Sequence, residues 1–194
     1  MNKVKALLAG LALFFVAGTA NAQSMKNTLK IGALAGPSVA SRNASAAAGL
    51  NVAYQNLITP HFGLGVTTGY HHHFGKDKDV SNTTLKNNDF GVIPVAALFR
   101  YYPKSEGIYV GTDLGYGVIT GDDKVASNSS VERPNGGFYL KPEVGYHNRH
   151  WNIFAHYTKV FTGSDGTIRV NGASQKYNAG IIGVGLAYNI GLGR

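Results

Sequence analysis

The sequence predicts an all-β fold: an eight-stranded antiparallel up-and-down β-barrel that crosses a membrane with its strands. Two patterns in the 194-residue chain carry this prediction. Bulky apolar residues alternate with small or polar ones along most of the chain, which is the period of a β-strand and not of a helix. The connections between these segments alternate between short turns and long polar stretches. An up-and-down barrel places successive connections on opposite rims. We therefore expect one rim to carry the short turns and the other rim to carry the long polar loops.

The N-terminal 22 residues are predicted to be a cleaved signal peptide, and residues 23–194 to be the barrel domain. Two lysines form a basic start, an apolar stretch runs from Ala6 to Gly18, and Ala20-Asn21-Ala22 fits the small-residue cleavage motif. The apolar stretch is too short for a transmembrane helix, which needs about 20 residues. We therefore expect export, with cleavage after Ala22.

Composition excludes several other classes of protein. The chain has no cysteine, which excludes a disulfide framework, a thiolate zinc site and an iron–sulfur cluster. Its 26 glycines disfavour a helical bundle, since glycine inside a helix costs about 1 kcal/mol relative to alanine. The formal net charge of +8 includes the two lysines of the signal peptide, and the other basic residues form no stripe. We therefore expect no nucleic-acid partner.

Eight segments of about nine residues or more, the length that a tilted strand needs to cross a bilayer, are predicted to form the strands. In order they are Leu29–Val39, Gly49–Leu57, Phe62–Phe74, Phe90–Tyr102, Ile108–Thr120, Gly137–His147, Trp151–Thr162 and Lys176–Ile190. Short turns follow the second, fourth and sixth segments, at residues 58–61, 103–107 and 148–150. Long polar stretches follow the first, third, fifth and seventh, at residues 40–48, 75–89, 121–136 and 163–175.

The alternation assigns the two faces of the barrel wall. One face is bulky and apolar, and the other holds small residues and charges, whereas a soluble barrel would place its apolar bulk inside. We therefore assign the bulky face to lipid, because an arginine or lysine facing the bilayer midplane costs about 2–4 kcal/mol. The polar side chains that then point into the lumen are Arg100, Asp113, Lys141 and Glu143, predicted to form a structural network, together with His156.

Two prolines and a set of aromatic residues refine this prediction. Pro94 and Pro142 lie inside predicted strands and lack the N–H that a closed ladder needs, so we expect a bulge or a lost ladder bond at each. Aromatic residues near strand ends are predicted to form girdles at the two membrane interfaces. They are Tyr101, Tyr102, Tyr109, Tyr146, Trp151 and Tyr188 toward the short turns, and Tyr70, Phe74, Phe90, Phe138, Phe161 and Tyr177 toward the loops.

His71 and His73 are the candidate metal ligands. They share one face of the third strand, where an acid from the next loop, such as Asp77 or Asp79, would complete a site. Histidines at the outer end of a strand are more often solvated interface residues. We therefore favour that interpretation and expect no metal and no cofactor.

His156-Tyr157-Thr158 resembles the His-x-Ser element of the outer-membrane lipid A deacylases. The resemblance implies a histidine base that activates a hydroxyl two residues on, with Asp165 as the downstream carboxylate that orients the base. Here Thr158 stands in place of the serine, and the alternation points it into the lumen with His156. The favoured interpretation is a hydrogen-bonded lumen histidine, with no catalytic residues.

As a whole, the signal peptide, the eight alternating segments and the alternating connections resemble the small outer-membrane barrels of the OmpA/OmpX type in Gram-negative bacteria. The resemblance implies an integral outer-membrane protein that contacts outer-membrane lipid and lipopolysaccharide. We expect no enzymatic activity and a structural or surface-interaction role, in which the four long loops meet an envelope or host-surface protein. Two alternatives stay open: a lipid A or phospholipid hydrolase that uses His156, and a narrow channel for a small solute.

Overall fold

A computed structural model describes residues 25–39 and 43–193 of the chain. These residues form a closed antiparallel barrel of eight strands, with two short hairpins in its loops. The predicted signal peptide, residues 1–22, and its cleavage site lie outside the described residues. No helix in the described ranges is long and apolar enough to cross a membrane.

The strands follow one another around the barrel in chain order. The barrel strands are β1 (Asn27–Pro37), β2 (Ala44–Leu57), β3 (Phe62–Gly75), β6 (Phe90–Tyr101), β7 (Gly107–Gly121), β8 (Gly136–His147), β9 (Trp151–Phe161) and β12 (Ala179–Gly193). The hairpins are β4 (Lys78–Val80) with β5 (Thr83–Leu85), and β10 (Ile168–Val170) with β11 (Ala173–Gln175). Pairing of β1 with β12, from Leu29↔Ile190 to Ala35↔Val184, closes the barrel. The predicted fold class and strand order are confirmed.

Two of the predicted strand starts are wrong. β2 begins at Ala44, well before Gly49, because the intervening small residues continue the ladder with β1 as far as Pro37↔Ala46. The predicted long connection at 40–48 is therefore mostly strand. β12 begins at Ala179 and not at Lys176, since the backbone N–H of Asn178 leaves the ladder to donate to the side chain of Asn43 at 2.8 Å.

Pro94 and Pro142 each interrupt one ladder and leave its register unchanged. Pairing skips from Thr68↔Val95 to His71↔Val92 beside Pro94, and from Leu140↔Lys159 to Glu143↔His156 beside Pro142. On their other sides the two prolines stay paired, with Gly117 and Thr112. The expectation of lost ladder bonds is confirmed, and neither site has a bulge.

The bulky face of the strands points outward, as predicted. The exposed apolar side chains come from every side of the barrel; they include Leu50, Val52, Leu64, Val66, Val95, Phe99, Ile108, Val110, Leu114, Val118, Val144, Ile153, Ile182, Val184 and Leu186. Soluble monomers expose contiguous apolar patches of at most about 300–600 Å². An apolar belt with large exposed side chains on seven of the eight strands is suited to hydrocarbon and not to water.

The aromatic girdles are smaller than predicted. The predicted girdle residues that are exposed are Tyr101, Tyr146 and Trp151 toward the short turns, and Tyr70, Phe74, Phe138 and Phe161 toward the loops. Tyr188 is half-buried, and Phe62 at the short-turn end of β3 is an exposed aromatic residue that was not predicted. Tyr102, Tyr109, Phe90 and Tyr177 are instead buried inside. Tyr102 and Tyr109 each stand next to an outward residue, so the alternation of the strand turns them inward.

Replacing Val66 by arginine tests the outward apolar face. Val66 is 62% exposed and stands midway along β3 between Phe62 and Tyr70. We expect the variant to lose about 2–4 kcal/mol in free energy of unfolding, because the new charge would face hydrocarbon. The measurement is urea unfolding in phospholipid vesicles, followed by fluorescence of Trp151, the single tryptophan.

The matched control is Ile58→Arg, because Ile58 has a similar exposure of 57% but lies in a short turn. This variant should lose less than about 1 kcal/mol. Equal losses at the two positions would show that the Val66 face does not meet hydrocarbon.

Candidate functional site in the lumen and the loops

Four charged side chains meet inside the barrel, and we call them the ion-pair network. They are Arg100 on β6, Asp113 on β7, and Lys141 and Glu143 on β8, each less than one-tenth exposed. Arg100 Nη1 lies 2.8 Å from Asp113 Oδ1, and Arg100 Nε lies 2.8 Å from Glu143 Oε1. Lys141 Nζ lies 3.1 Å from Asp113 Oδ2 and 2.7 Å from Glu143 Oε2. Each cation contacts both carboxylates, so the four charges balance one another.

Neutral groups complete the bonding of this network. Arg100 Nη1 donates to the carbonyl oxygens of Phe99 at 2.8 Å and Thr112 at 3.0 Å. The Tyr109 hydroxyl donates to Glu143 Oε1 at 2.9 Å. The space left beside the network is a cavity of about 30 Å³, which is about the volume that one water molecule occupies in the liquid. The lumen is therefore filled at this level.

His71 and His73 lie buried in the lumen between the ion-pair network and the loops. His71 Nε2 lies 2.7 Å from Asn51 Oδ1, and the His73 ring stacks on Phe90 with centroids 4.4 Å apart. The interpretation of these histidines as solvated interface residues is wrong, because their strand turns both side chains inward. Within the described residues no group of three or more His, Asp or Glu side chains is placed to hold a metal.

The loop acids that would complete such a metal site have other surroundings. Asp79 accepts a hydrogen bond from Thr84 Oγ1 at 2.6 Å within the β4–β5 hairpin, and Asp77 is exposed. The candidate ligands are thus divided between the lumen and the outer surface of a loop.

The candidate catalytic residues are divided in the same way. His156 and Thr158 lie side by side on the inner face of β9, with His156 Nδ1 3.0 Å from Thr158 Oγ1, and both are buried. Asp165 is exposed in the turn that follows β9. The histidine and the hydroxyl are therefore paired, but the pair faces the lumen and not lipid.

The long loops pack on one another in a cap over the barrel, which we call the loop cap (residues 76–89, 122–135 and 163–178). Its buried apolar side chains come from all three segments and form one cluster with Phe90, Tyr139 and Val160 of the upper lumen. The loop members are Val80, Leu85, Val125, Ala126, Ile168 and Tyr177. The hydrophobic core of the cap thus continues into the barrel, and burial there raises the pKa of the Tyr177 phenol.

Side-chain amides join the segments of the loop cap. Asn87 Nδ2 donates to Gln175 Oε1 at 3.3 Å, and Gln175 Nε2 donates back to Asn87 Oδ1 at 2.6 Å. Asn128 accepts from the backbone N–H of Lys86 at 3.0 Å and donates to the carbonyl of Thr84 at 2.7 Å. Three connections that are distant in sequence therefore form one folded layer.

The alternation of the sequence does not predict this layer, although one local signal indicates part of it. Asn171-Gly172 is the typical two-residue turn of a β-hairpin, and both residues have the positive φ that such a turn requires, 45° and 81°. This dipeptide could have predicted β10 and β11. The amide contacts between loops have no comparable signal.

The short-turn rim opens into a cavity of about 610 Å³, which we call the vestibule. Polar side chains line its inner part: Lys30 Nζ donates to the Tyr102 hydroxyl at 2.9 Å, and that hydroxyl donates to Gln55 Oε1 at 2.8 Å. Burial raises the pKa of Tyr102 to about 12, so its hydroxyl keeps its proton at neutral pH.

Comparison with known proteins identifies the fold. No protein-family model and no curated protein sequence matches the chain. The outer membrane protein OprG of Pseudomonas aeruginosa is similar over 84% of this chain and 95% of its own, with 15% identity and a TM-score of 0.52. The N-terminal β-barrel domain of Pseudomonas aeruginosa OprF covers 84% of this chain and 98% of its own, with 14% identity and a TM-score of 0.47. The likeness to OprG shows that the chain has the fold of a small eight-stranded outer-membrane barrel.

Glu143→Gln tests the charge balance of the ion-pair network. The variant leaves Arg100 and Lys141 with one carboxylate between them. We expect it to lose about 3–5 kcal/mol in free energy of unfolding, since removing one partner leaves a buried charge uncompensated. Urea unfolding in phospholipid vesicles measures the loss.

Adding Lys141→Met to Glu143→Gln restores the balance, so the double variant should recover part of the stability. Glu106→Gln, an exposed carboxylate in a short turn, serves as the control and should unfold as the wild type does. A Glu143→Gln protein that also unfolds like the wild type would contradict the assignment.

Asn87→Ala and Gln175→Ala test the join between loops. Each variant leaves one buried side-chain amide without its hydrogen-bond partner, at a local cost of about 1–3 kcal/mol. Hydrogen exchange in the loop cap should therefore become faster, while exchange in the barrel strands stays unchanged. Asn87 Nδ2 also donates to the carbonyl of Lys76 at 2.7 Å, so Asn87→Ala should have the larger effect of the two. The double variant should exchange no faster than Asn87→Ala alone.

Ser174→Ala, an exposed neighbour on the same hairpin, is the control and should leave exchange in the loop cap unaltered. If Asn87→Ala gives the exchange rates of this control, the amide pair does not hold the loops together.

Proposed function

We propose that this protein is an integral outer-membrane barrel with a closed lumen, and that it acts through its loop cap in a structural or surface-interaction role. The observation that supports this proposal most directly is the hydrophobic core shared by three loops. A loop that only connects two strands needs no core of its own. A packed layer presents a fixed surface, which reduces the ordering cost of binding a partner.

The location in the outer membrane is supported by the barrel itself. A closed ladder leaves no backbone group unpaired in hydrocarbon, and the outward face of the strands is apolar. In barrels of this kind the short turns face the periplasm and the longer loops face the outside. Export through a signal peptide at residues 1–22 is part of the proposal. In this orientation the loop cap stands where lipopolysaccharide, envelope proteins and host surfaces can be reached.

The closed lumen favours this role over that of a general pore. The ion-pair network fills the barrel at one level, and His71, His73 and Phe90 fill it nearer the loops. A narrow channel would need both layers to move. A lipid hydrolase based on His156 would need its His–Thr pair to meet lipid, and the pair lies inside.

The exposed side of the loop cap indicates which chemistry a partner needs. It carries charges of both signs, which are mixed within its segments: Lys76, Asp77, Asp79, Lys86, Asp122, Asp123, Lys124, Glu132, Arg169 and Lys176. Such a mixed polar surface fits a protein partner or the phosphate groups of lipopolysaccharide better than an apolar ligand. The segments that we propose for this contact are residues 75–89, 121–136 and 163–175, together with what remains of the predicted loop at 40–48.

Charge reversal on the loop cap tests the proposal. Lys86→Glu with Arg169→Glu alters two exposed side chains of the cap. Lys26→Glu is the control, because Lys26 is an exposed lysine beside the short turns and does not line the vestibule. Each protein is placed in nanodiscs and its binding to lipopolysaccharide vesicles and to host epithelial cells is measured. We expect only the cap variant to change binding, by several-fold, because the loop cap is the surface proposed to meet lipopolysaccharide and host cells.

The wild type in planar bilayers should show no discrete current steps. Unchanged binding of the cap variant on both surfaces would remove the surface-interaction role. Discrete current steps would instead support the narrow channel.

A further inference from the structure

The vestibule holds a buried lysine that neither the barrel wall nor the loop cap explains. Lys30 on β1 points inward and is 8% exposed. It lines both the vestibule and the small cavity beside the ion-pair network, so it stands at the inner end of the vestibule. A buried ammonium normally has a counter-ion, because burial of an unpaired charge is costly.

The described residues provide no such counter-ion. Their buried charged side chains are three cations, Lys30, Arg100 and Lys141, and two anions, Asp113 and Glu143. The two anions are each in contact with Arg100 and Lys141, and no ion pair within 4.0 Å includes Lys30. The lumen therefore holds one more basic side chain than acidic side chains.

The contacts of Lys30 are neutral and leave part of its bonding capacity for a ligand. Nζ donates to the Tyr102 hydroxyl at 2.9 Å. With the Asn152 amide turned so that its oxygen faces Lys30, Nζ also donates to that oxygen at 2.8 Å. An ammonium has three N–H donors, and these two contacts use two of them.

The mouth of the vestibule has the same sign of charge as its inner end. Lys104 and Arg149 line it, against the single acid Glu106. With Lys30 this makes three cations to one anion around one cavity, and low-dielectric walls strengthen the resulting positive potential. The lining also includes amide side chains that can donate, among them Gln55 and Asn189.

We propose that the vestibule binds a small oxyanion, a phosphate or carboxylate group, with Lys30 as the buried counter-ion. The volume of about 610 Å³ lies within the range of about 300–1,000 Å³ that is typical of small-ligand sites. The lumen beyond Lys30 narrows to about 30 Å³, so the site is a pocket that is open at one end and not a passage. It lies at the opposite rim from the loop cap and is independent of that surface.

The test uses the full chain, isotopically labelled, in nanodiscs of zwitterionic phosphatidylcholine. Inorganic phosphate is titrated against sodium chloride at the same ionic strength, and amide chemical shifts are followed by NMR. We expect saturable shifts at Lys30, Tyr102 and Asn189 with phosphate and none with chloride. Lys30→Met should weaken binding by roughly tenfold or more, because a charge-assisted bond is lost. Lys176→Met, an exposed lysine of the loop cap, should leave the affinity unchanged.

A second arm separates a soluble anion from a lipid headgroup. The wild type is placed in nanodiscs that contain anionic phosphatidylglycerol, with no phosphate added. The same shifts in this arm, abolished by Lys30→Met, would identify a headgroup as a source of the anion. An absence of saturable shifts at the vestibule in both arms would overturn the proposal, as would a Lys30→Met protein that binds phosphate like the wild type.

A further variant tests the proposal in case the Lys30→Met protein does not fold. Lys104→Gln with Arg149→Gln changes only exposed side chains at the mouth, so the barrel should fold. This double variant should weaken phosphate binding several-fold, and wild-type affinity would count against the vestibule as the site. Slower gel migration after boiling, compared with the unboiled protein, verifies the folded barrel in each variant.

Discussion

The backbone ladder that closes β1 onto β12 is the constraint on which the rest of this molecule depends. In hydrocarbon no water is available for an open sheet edge, so the strands must pair all the way round. Closure leaves each side chain only two directions, outward to lipid or inward to the lumen. The lumen of an eight-stranded barrel is just wide enough for side chains to fill. Every polar group that cannot face lipid must therefore find its partner in that narrow space.

The ion-pair network shows how the register meets this requirement. Asp113 and Lys141 are direct cross-strand partners on β7 and β8, and Gly111 stands opposite both Arg100 and Glu143. A Cβ at Gly111 would lie 2.3 Å from Arg100 Cδ, so only glycine lets the arginine side chain cross β7 and reach Glu143. The small residues of the inner face thus leave room for long charged ones, which explains why glycine and buried charge occur on the same face.

The sequence predicts the parts of this structure that depend on alternation. It predicts the eight strands and the outward direction of residues such as Val66, because a period of two is visible without a partner. It does not predict Ala44 as the start of β2, since alanines lack the bulk that marks a face. Nor does it predict that Asn87 bonds Gln175, 88 positions away. Contacts between irregular loops depend on the relative placement of the strands, and alternation alone leaves the register of each strand pair open.

The inner polar residues also differ in what they contribute to stability. Once Arg100, Asp113, Lys141 and Glu143 balance one another, the wall needs no further charge in the lumen. A neutral side chain of similar length at Lys30 would fill its space without the desolvation of an ammonium. The ion-pair network blocks the route toward the loops, so whatever enters beside Lys30 must leave by the short-turn rim. Lys30 is therefore better explained by a ligand that arrives from that side than by the stability of the barrel.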